Sequence, residues 1–158
     1  MSRKDAARVE LERQIDEQLG RRLSARTVLF HEAVAGKLGL NPTDLKCLDL
    51  ARTEIPITAG RIAELTGLTT AAVTSVIDRL EASGLVRRVR DTEDRRKVMV
   101  VPVPERAAEV GRLFEPLEKA MKQLYSEYSS ADLALIRDFA AKLEDVMHAE
   151  TLRLRQGT

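Results

Sequence analysis

The chain has 158 residues and a net charge of +1, from 26 Lys and Arg against 25 Asp and Glu. That length predicts about one domain, and 44% hydrophobic with 32% charged residues supplies a core and argues against a disordered chain. A single cysteine and two histidines exclude an internal disulfide and cysteine-pair metal motifs, and near-neutrality requires any nucleic-acid binding to come from a local patch.

The first 22 residues, MSRKDAARVELERQIDEQLGRR, are charged throughout. They contain no apolar h-region, so a cytoplasmic location is expected. No run of about 18 apolar residues is present, so no membrane partner is expected. Val9, Leu11, Ile15 and Leu19 make a thin stripe on a charged helix. Leu23, Thr27, Phe30, Val34 and Leu38 continue a stripe until Gly39. Asn41-Pro42-Thr43-Asp44 reads as a helix start, with an N-cap, a proline at the first helical position and an acid in the first turn. Leu45, Leu48 and Ala51 form its inner face.

Thr58 caps a short helix containing Ile62, Ala63 and Leu65. After the turn at Thr66-Gly67-Leu68-Thr69, a further helix starts near Thr70, with Val73, Val76, Ile77 and Leu80 at i, i+3, i+4 and i+7, and ends at Gly84. This is the spacing of a helix-turn-helix. The period then changes to that of strands. Leu85 to Arg90 and Val98 to Val101 bracket a polar stretch, Asp91 to Lys97, predicting a two-stranded hairpin. The tail returns to helix, from about Glu105 to Tyr128 with a kink or break at Pro116, and again after the cap at Ser129-Ser130-Ala131-Asp132. The first of these would be roughly 36 Å long, longer than the middle of the chain can cover. A second copy is the simplest partner for such a stripe, which predicts an intertwined homodimer built from both termini. The expected division is residues 1–40 for the N-terminal dimerisation part, 41–104 for the DNA-binding domain and 105–158 for the C-terminal dimerisation helices.

The helix from Thr70 to Ser83 is the candidate reader. Opposite its buried arc lie Ala71, Ser75, Asp78 and Ala82, flanked by Ala72, Thr74 and Arg79. Small outward residues allow close entry into a major groove, although the same pattern suits a plain solvated helix face. The hairpin favours DNA. Residues 85–97 hold six basic and three acidic side chains, and a tip arginine can enter a narrow minor groove. Arg95 and Arg96 are the tip candidates. Asp94 is expected to orient one of them by a charge-assisted hydrogen bond.

The run Thr69 to Arg88, TTAAVTSVIDRLEASGLVRR, followed by Asp91-Thr92-Glu93-Asp94-Arg95-Arg96, resembles the MarR family of bacterial winged-helix regulators over roughly residues 58–101. The resemblance implies a mainly α winged helix-turn-helix with a small antiparallel wing. It also implies an obligate homodimer on a pseudo-palindromic operator, usually acting as a repressor. The reading helix would lie in the major groove, using Thr69, Thr70, Ala71, Thr74 and Ser75. Arg96 would enter the minor groove with Asp94 bracing it, and Arg95 would make a neighbouring contact. Many members release DNA when a small anionic aromatic ligand binds between the dimer helices and the winged domain. Two departures stand out. Ser75 replaces an arginine common in relatives, and Val101-Pro102-Val103-Pro104-Glu105 replaces a Leu-Thr-x-x-Gly run, which obscures where the next helix starts.

Phosphate contacts are expected from Arg79, Thr58 and the basic strands. The two reading helices of a dimer are expected about one DNA turn, roughly 34 Å, apart. A phenolic effector would bind where residues 23–40 meet residues 45–55. Redox sensing through Cys47 is disfavoured, because a reactive thiolate needs an exposed electropositive site; a buried small hydrophobe is the expected role. His31 lacks the ligand cluster a metal needs, and no cofactor is expected. No histidine neighbours Thr74, Ser75 or Ser83, so an enzyme is not expected. The rival reading is a winged-helix protein-interaction module without its own operator.

Overall fold

The computed structural model describes residues 3–91, 94 and 97–155. The chain divides into two units, residues 1–113 and 114–158.

The first unit opens with α1 (Arg3–Ile15), a π-helical segment (Asp16–Leu23) and α2 (Ser24–Lys37). Both joints, at Ile15 and Ser24, keep right-handed helical dihedrals, so the backbone remains helical through Gly20. Most of this stretch is exposed, with Val34 and Ala35 buried near its end. Gly39 then terminates α2. At φ +68° it sits in the left-handed region that only glycine enters freely. Its N–H bonds to Gly36 O at 3.3 Å and that of Leu40 to Ala35 O at 2.9 Å, a Schellman ending.

The helix start predicted at Asn41 is present. In α3 (Pro42–Thr53) the Asp44 N–H donates to Asn41 Oδ1 at 2.8 Å and Pro42 opens the first turn. Leu45, Leu48 and Ala51 are buried as predicted, and Cys47 joins them. Thr58 and Thr69 cap α4 (Ala59–Thr66) and α5 (Thr70–Ala82) through their hydroxyl oxygens. The predicted inner arc of α5, Val73, Val76, Ile77 and Leu80, is buried with Ile62 of α4.

The hairpin forms as β2 (Val86–Arg90) and β3 (Val98–Pro102), with Val86 opposite Pro102 and Arg90 opposite Val98. A third strand, β1 (Ile57–Thr58), pairs antiparallel with β3 through Ile57↔Val100 and Thr58↔Met99, so the sheet order is β1-β3-β2. Two residues are too few to show a strand period, which is why the sequence reading stops at two strands. Ile57, Val86 and Val100 carry the sheet's contribution to the core, with Leu85 buried just before β2.

The helix start left open by the sequence is settled. α6 (Pro104–Tyr125) begins one residue after Val103, whose N–H is tied to Leu85 O at 3.0 Å. Pro104 then opens the helix, where a missing N–H costs nothing. Pro116 lies inside α6 without breaking it. The helix ends three residues before Tyr128.

The second unit contains the end of α6, a turn and α7 (Ser130–Arg155). Ser129 and Asp132 cap α7 reciprocally. The Asp132 N–H donates to Ser129 Oγ at 3.2 Å, and the Ser129 N–H donates to Asp132 Oδ2 at 3.0 Å, the logic of a capping box. No described residue of α7 is buried. Ile136, Phe139, Leu143 and Met147 recur at helical spacing with their side chains exposed. Among the described residues no helix is long and apolar enough to cross a membrane.

Candidate nucleic-acid interface

α4, the turn at Gly67 and α5 form the helix-turn-helix. Gly67 closes α4 at φ +67°, and its N–H bonds to Ala63 O at 2.8 Å. Thr69 opens α5 two residues later by accepting from the Ala72 N–H at 3.2 Å. The outward residues Thr70, Ala71, Thr74, Ser75 and Asp78 are all exposed. Thr74 Oγ1 donates to Thr70 O at 2.9 Å and Ser75 Oγ to Ala71 O at 3.2 Å. Their hydroxyl protons therefore serve the helix's own backbone.

Arg79, expected as a phosphate contact, is tied to Asp44 at the start of α3. Its Nε donates to Asp44 Oδ2 at 3.0 Å and its Nη2 to Asp44 Oδ1 at 2.5 Å, a bidentate charge-assisted pair. The Asp44 side chain is 3% exposed and that of Arg79 is 51% exposed. Asn41 Nδ2 adds a third donor to Asp44 at 3.0 Å. A buried carboxylate needs such compensation, and the result locks the start of α3 to the last turn of α5. Beside this clasp a groove of about 450 Å³ opens between α3 and α5, lined by residues that include Asn41, Thr43, Leu68, Ala72 and Ser75. Its lining includes no residue of 23–40 or 45–55, where an effector is expected. In the sequence Asp44 shows only as a first-turn acid. Its partner is 35 residues away, a separation no local pattern reveals.

A second clasp joins α5 to the sheet. Arg88 Nη2 donates to Asp78 Oδ1 at 2.6 Å, Arg88 Nη1 to Glu81 Oε2 at 2.5 Å, and the Arg88 N–H to Glu81 Oε1 at 3.0 Å. These bonds hold the Glu81 carboxyl below its usual range. Arg88 is therefore neutralised within the domain. Of the basic residues predicted for the hairpin, Arg87, Arg90 and Lys97 are exposed.

The predicted tip residues Arg95 and Arg96 lie outside the described residues. Asp94 is described and half-buried. Its N–H donates to Asp91 Oδ1 at 3.0 Å, and the Lys97 N–H donates to Asp94 O at 2.8 Å. Thr58 faces the start of α4, where its Oγ1 accepts the Arg61 N–H at 3.2 Å.

Cys47 is 0% exposed, and burial pushes its thiol up from the ordinary value, the opposite of what a reactive thiolate requires. His31 Nδ1 donates to Thr27 O at 2.8 Å. Among the described residues no group of three His, Cys, Asp or Glu is placed to hold a metal ion.

Residues 40–98 match the MarR family. The Bacillus subtilis (strain 168) HTH-type transcriptional regulator YcgE is 45% identical over 139 residues, covering 88% of this chain and 90% of that protein. A MarR family protein from Bacillus stearothermophilus shares the fold at a TM-score of 0.65 and 20% identity, over 94% of this chain and 99% of that one. BpsR of Bordetella bronchiseptica, described for regulation of its DNA binding by 6-hydroxynicotinic acid, aligns at a TM-score of 0.55 and 26% identity, over 82% of this chain and 95% of its own.

Proposed function

Because the chain belongs to the MarR family of DNA-binding transcriptional regulators, we propose that it acts as a homodimeric repressor on a pseudo-palindromic operator. The observation that carries this reading is the helix-turn-helix of α4 and α5, whose outward face is free of bulk and whose last helix leads directly into a basic hairpin. In the proposed complex α5 enters the major groove through Thr69, Thr70, Ala71, Thr74 and Ser75. The wing, residues 91–97, enters the minor groove through Arg95 and Arg96, with Asp94 as the brace. Residues 41–104 form the reading domain, and residues 1–40 and 105–158 form the dimer region. The exposed apolar faces of α1 and α7 support that division, because stripes of this length need a partner. Thr58 and the half-exposed Arg79 side chain supply phosphate contacts, which set register rather than sequence. Release by a small aromatic acid follows if that ligand binds one separation of the two reading domains better than another.

The test is a mobility shift on the DNA upstream of the chain's own gene, across a salt series and against random competitor. Specific retention is expected. Arg96→Ala should weaken binding and lower the salt slope by about 1 while leaving the dimer intact. Binding no better than to random DNA at every salt would favour a protein-interaction module.

A further inference from the structure

Thr74 and Ser75 each have one hydroxyl proton, and both protons are directed inward to Thr70 O and Ala71 O. Outward, the two side chains show lone pairs, and Thr74 shows a methyl as well. Ala71 shows only a methyl. Asp78 is an acceptor, its charge answered by Arg88. The sole cation of α5 is Arg79, and its fork is engaged by the buried Asp44.

Resting on the regulator reading above, we propose that α5 presents an acceptor-and-methyl surface to the major groove. It recognises thymine methyls and the amino groups of adenine and cytosine, and it offers guanine no donor fork. Guanine shows two acceptors, N7 and O6, in that groove and is read by donors, most often an arginine fork. Ala71, Thr74, Ser75 and Asp78 offer none, and Thr69 and Thr70 carry one hydroxyl proton each, not a fork. Adenine N6 and cytosine N4 are donors that match the outward lone pairs, and the thymine methyl matches Ala71 and the Thr74 methyl. The specificity-determining residues on the helix are therefore Ala71, Thr74, Ser75 and Asp78. Asp44 is a positioning residue that keeps the only guanidinium of the helix away from the base edges.

Selection from a random duplex library with the full chain identifies a preferred half-site, which is then altered one base at a time. Deoxyuridine removes the thymine methyl, and 7-deazaguanine removes N7. Both changes fall on the major-groove edge, so a wing in the minor groove does not sense them. Deoxyuridine should cost about fourfold at one or more positions, the worth of one buried methyl. 7-Deazaguanine should stay within about twofold throughout the half-site. Ser75→Arg, on the exposed face, should gain deazaguanine sensitivity of about tenfold or more, as an added donor fork would. A wild-type loss of about tenfold with 7-deazaguanine, indifference to every deoxyuridine, or a Ser75→Arg variant that gains nothing would each overturn the inference while leaving a sequence-specific regulator standing. Failure to select any sequence would overturn the regulator reading and this inference with it.

Discussion

Gly84 sets the angle between α5 and the sheet. It lies at φ +68° with no atom within 4 Å of where a Cβ would stand. The Gly84 N–H bonds to Glu81 O and that of Leu85 to Leu80 O, both at 2.9 Å, and Leu85 enters the core. Space is available for a side chain, but the backbone conformation is unfavourable for one. Gly84→Ala should therefore cost about 1–2 kcal/mol, the left-handed penalty alone, with an unchanged fold; chemical denaturation measures it. Cys47 allows a sharper test. Fully buried and with its thiol raised by desolvation, it should resist alkylation in the native chain and react once the chain is unfolded. Rapid native labelling, read by mass spectrometry, would overturn the account of Cys47 as core. Asp44 shows how burial converts a capping acid into a strut, since taking a carboxylate from water demands partners and Arg79 with Asn41 supplies them.

At the scale of elements, α5 is fixed on three sides. Its apolar arc packs into the core, Asp44 holds it to α3, and Arg88 holds it to β2. α5 is thereby preorganised, which would reduce the ordering cost of the proposed docking. The Arg88 clasp has a pH signature. Glu81 lies below its ordinary value of 4.5 because the Arg88 N–H and guanidinium donate to it. A carboxylate depressed in the folded state contributes stability that is complete above its unfolded value and is lost as pH falls through its folded value. The Tm difference between the wild type and Glu81→Gln should be largest near neutrality and shrink as pH drops below that ordinary value. A difference independent of pH would show that the clasp does not act through the Glu81 charge.

At the scale of the whole molecule, most apolar residues of α7 are exposed. Phe139 is 44% exposed and Met147 62%, in a helix with no buried described residue. If a second copy covers them, folding and assembly are linked and Tm rises with protein concentration. Phe139→Asp should abolish that dependence and yield monomers by sedimentation, leaving the core of residues 41–104 folded. A Tm that ignores concentration in the wild type would argue for a monomer.

Much of this protein follows from local chemistry. The caps at Asn41, Thr58 and Ser129, the glycine endings at Gly39 and Gly84, and the inner face of α5 were legible because each depends on residues within one or two helical turns. The hairpin was legible from its β-branched strands and polar connection. The family resemblance rested on the same local run, residues 58–101, and the outward face of α5 came with it. Tertiary structure decided what depends on distant partners. The two-residue β1 exists only because β3 offers it an edge. Arg79, legible in the sequence only as a candidate phosphate contact, also pairs with an acid 35 residues earlier. Arg88 is withdrawn from the basic hairpin by two acids of α5. Helical caps and periodicity are short-range and can be read along the chain, whereas a buried charge takes its partner from whatever the fold places beside it.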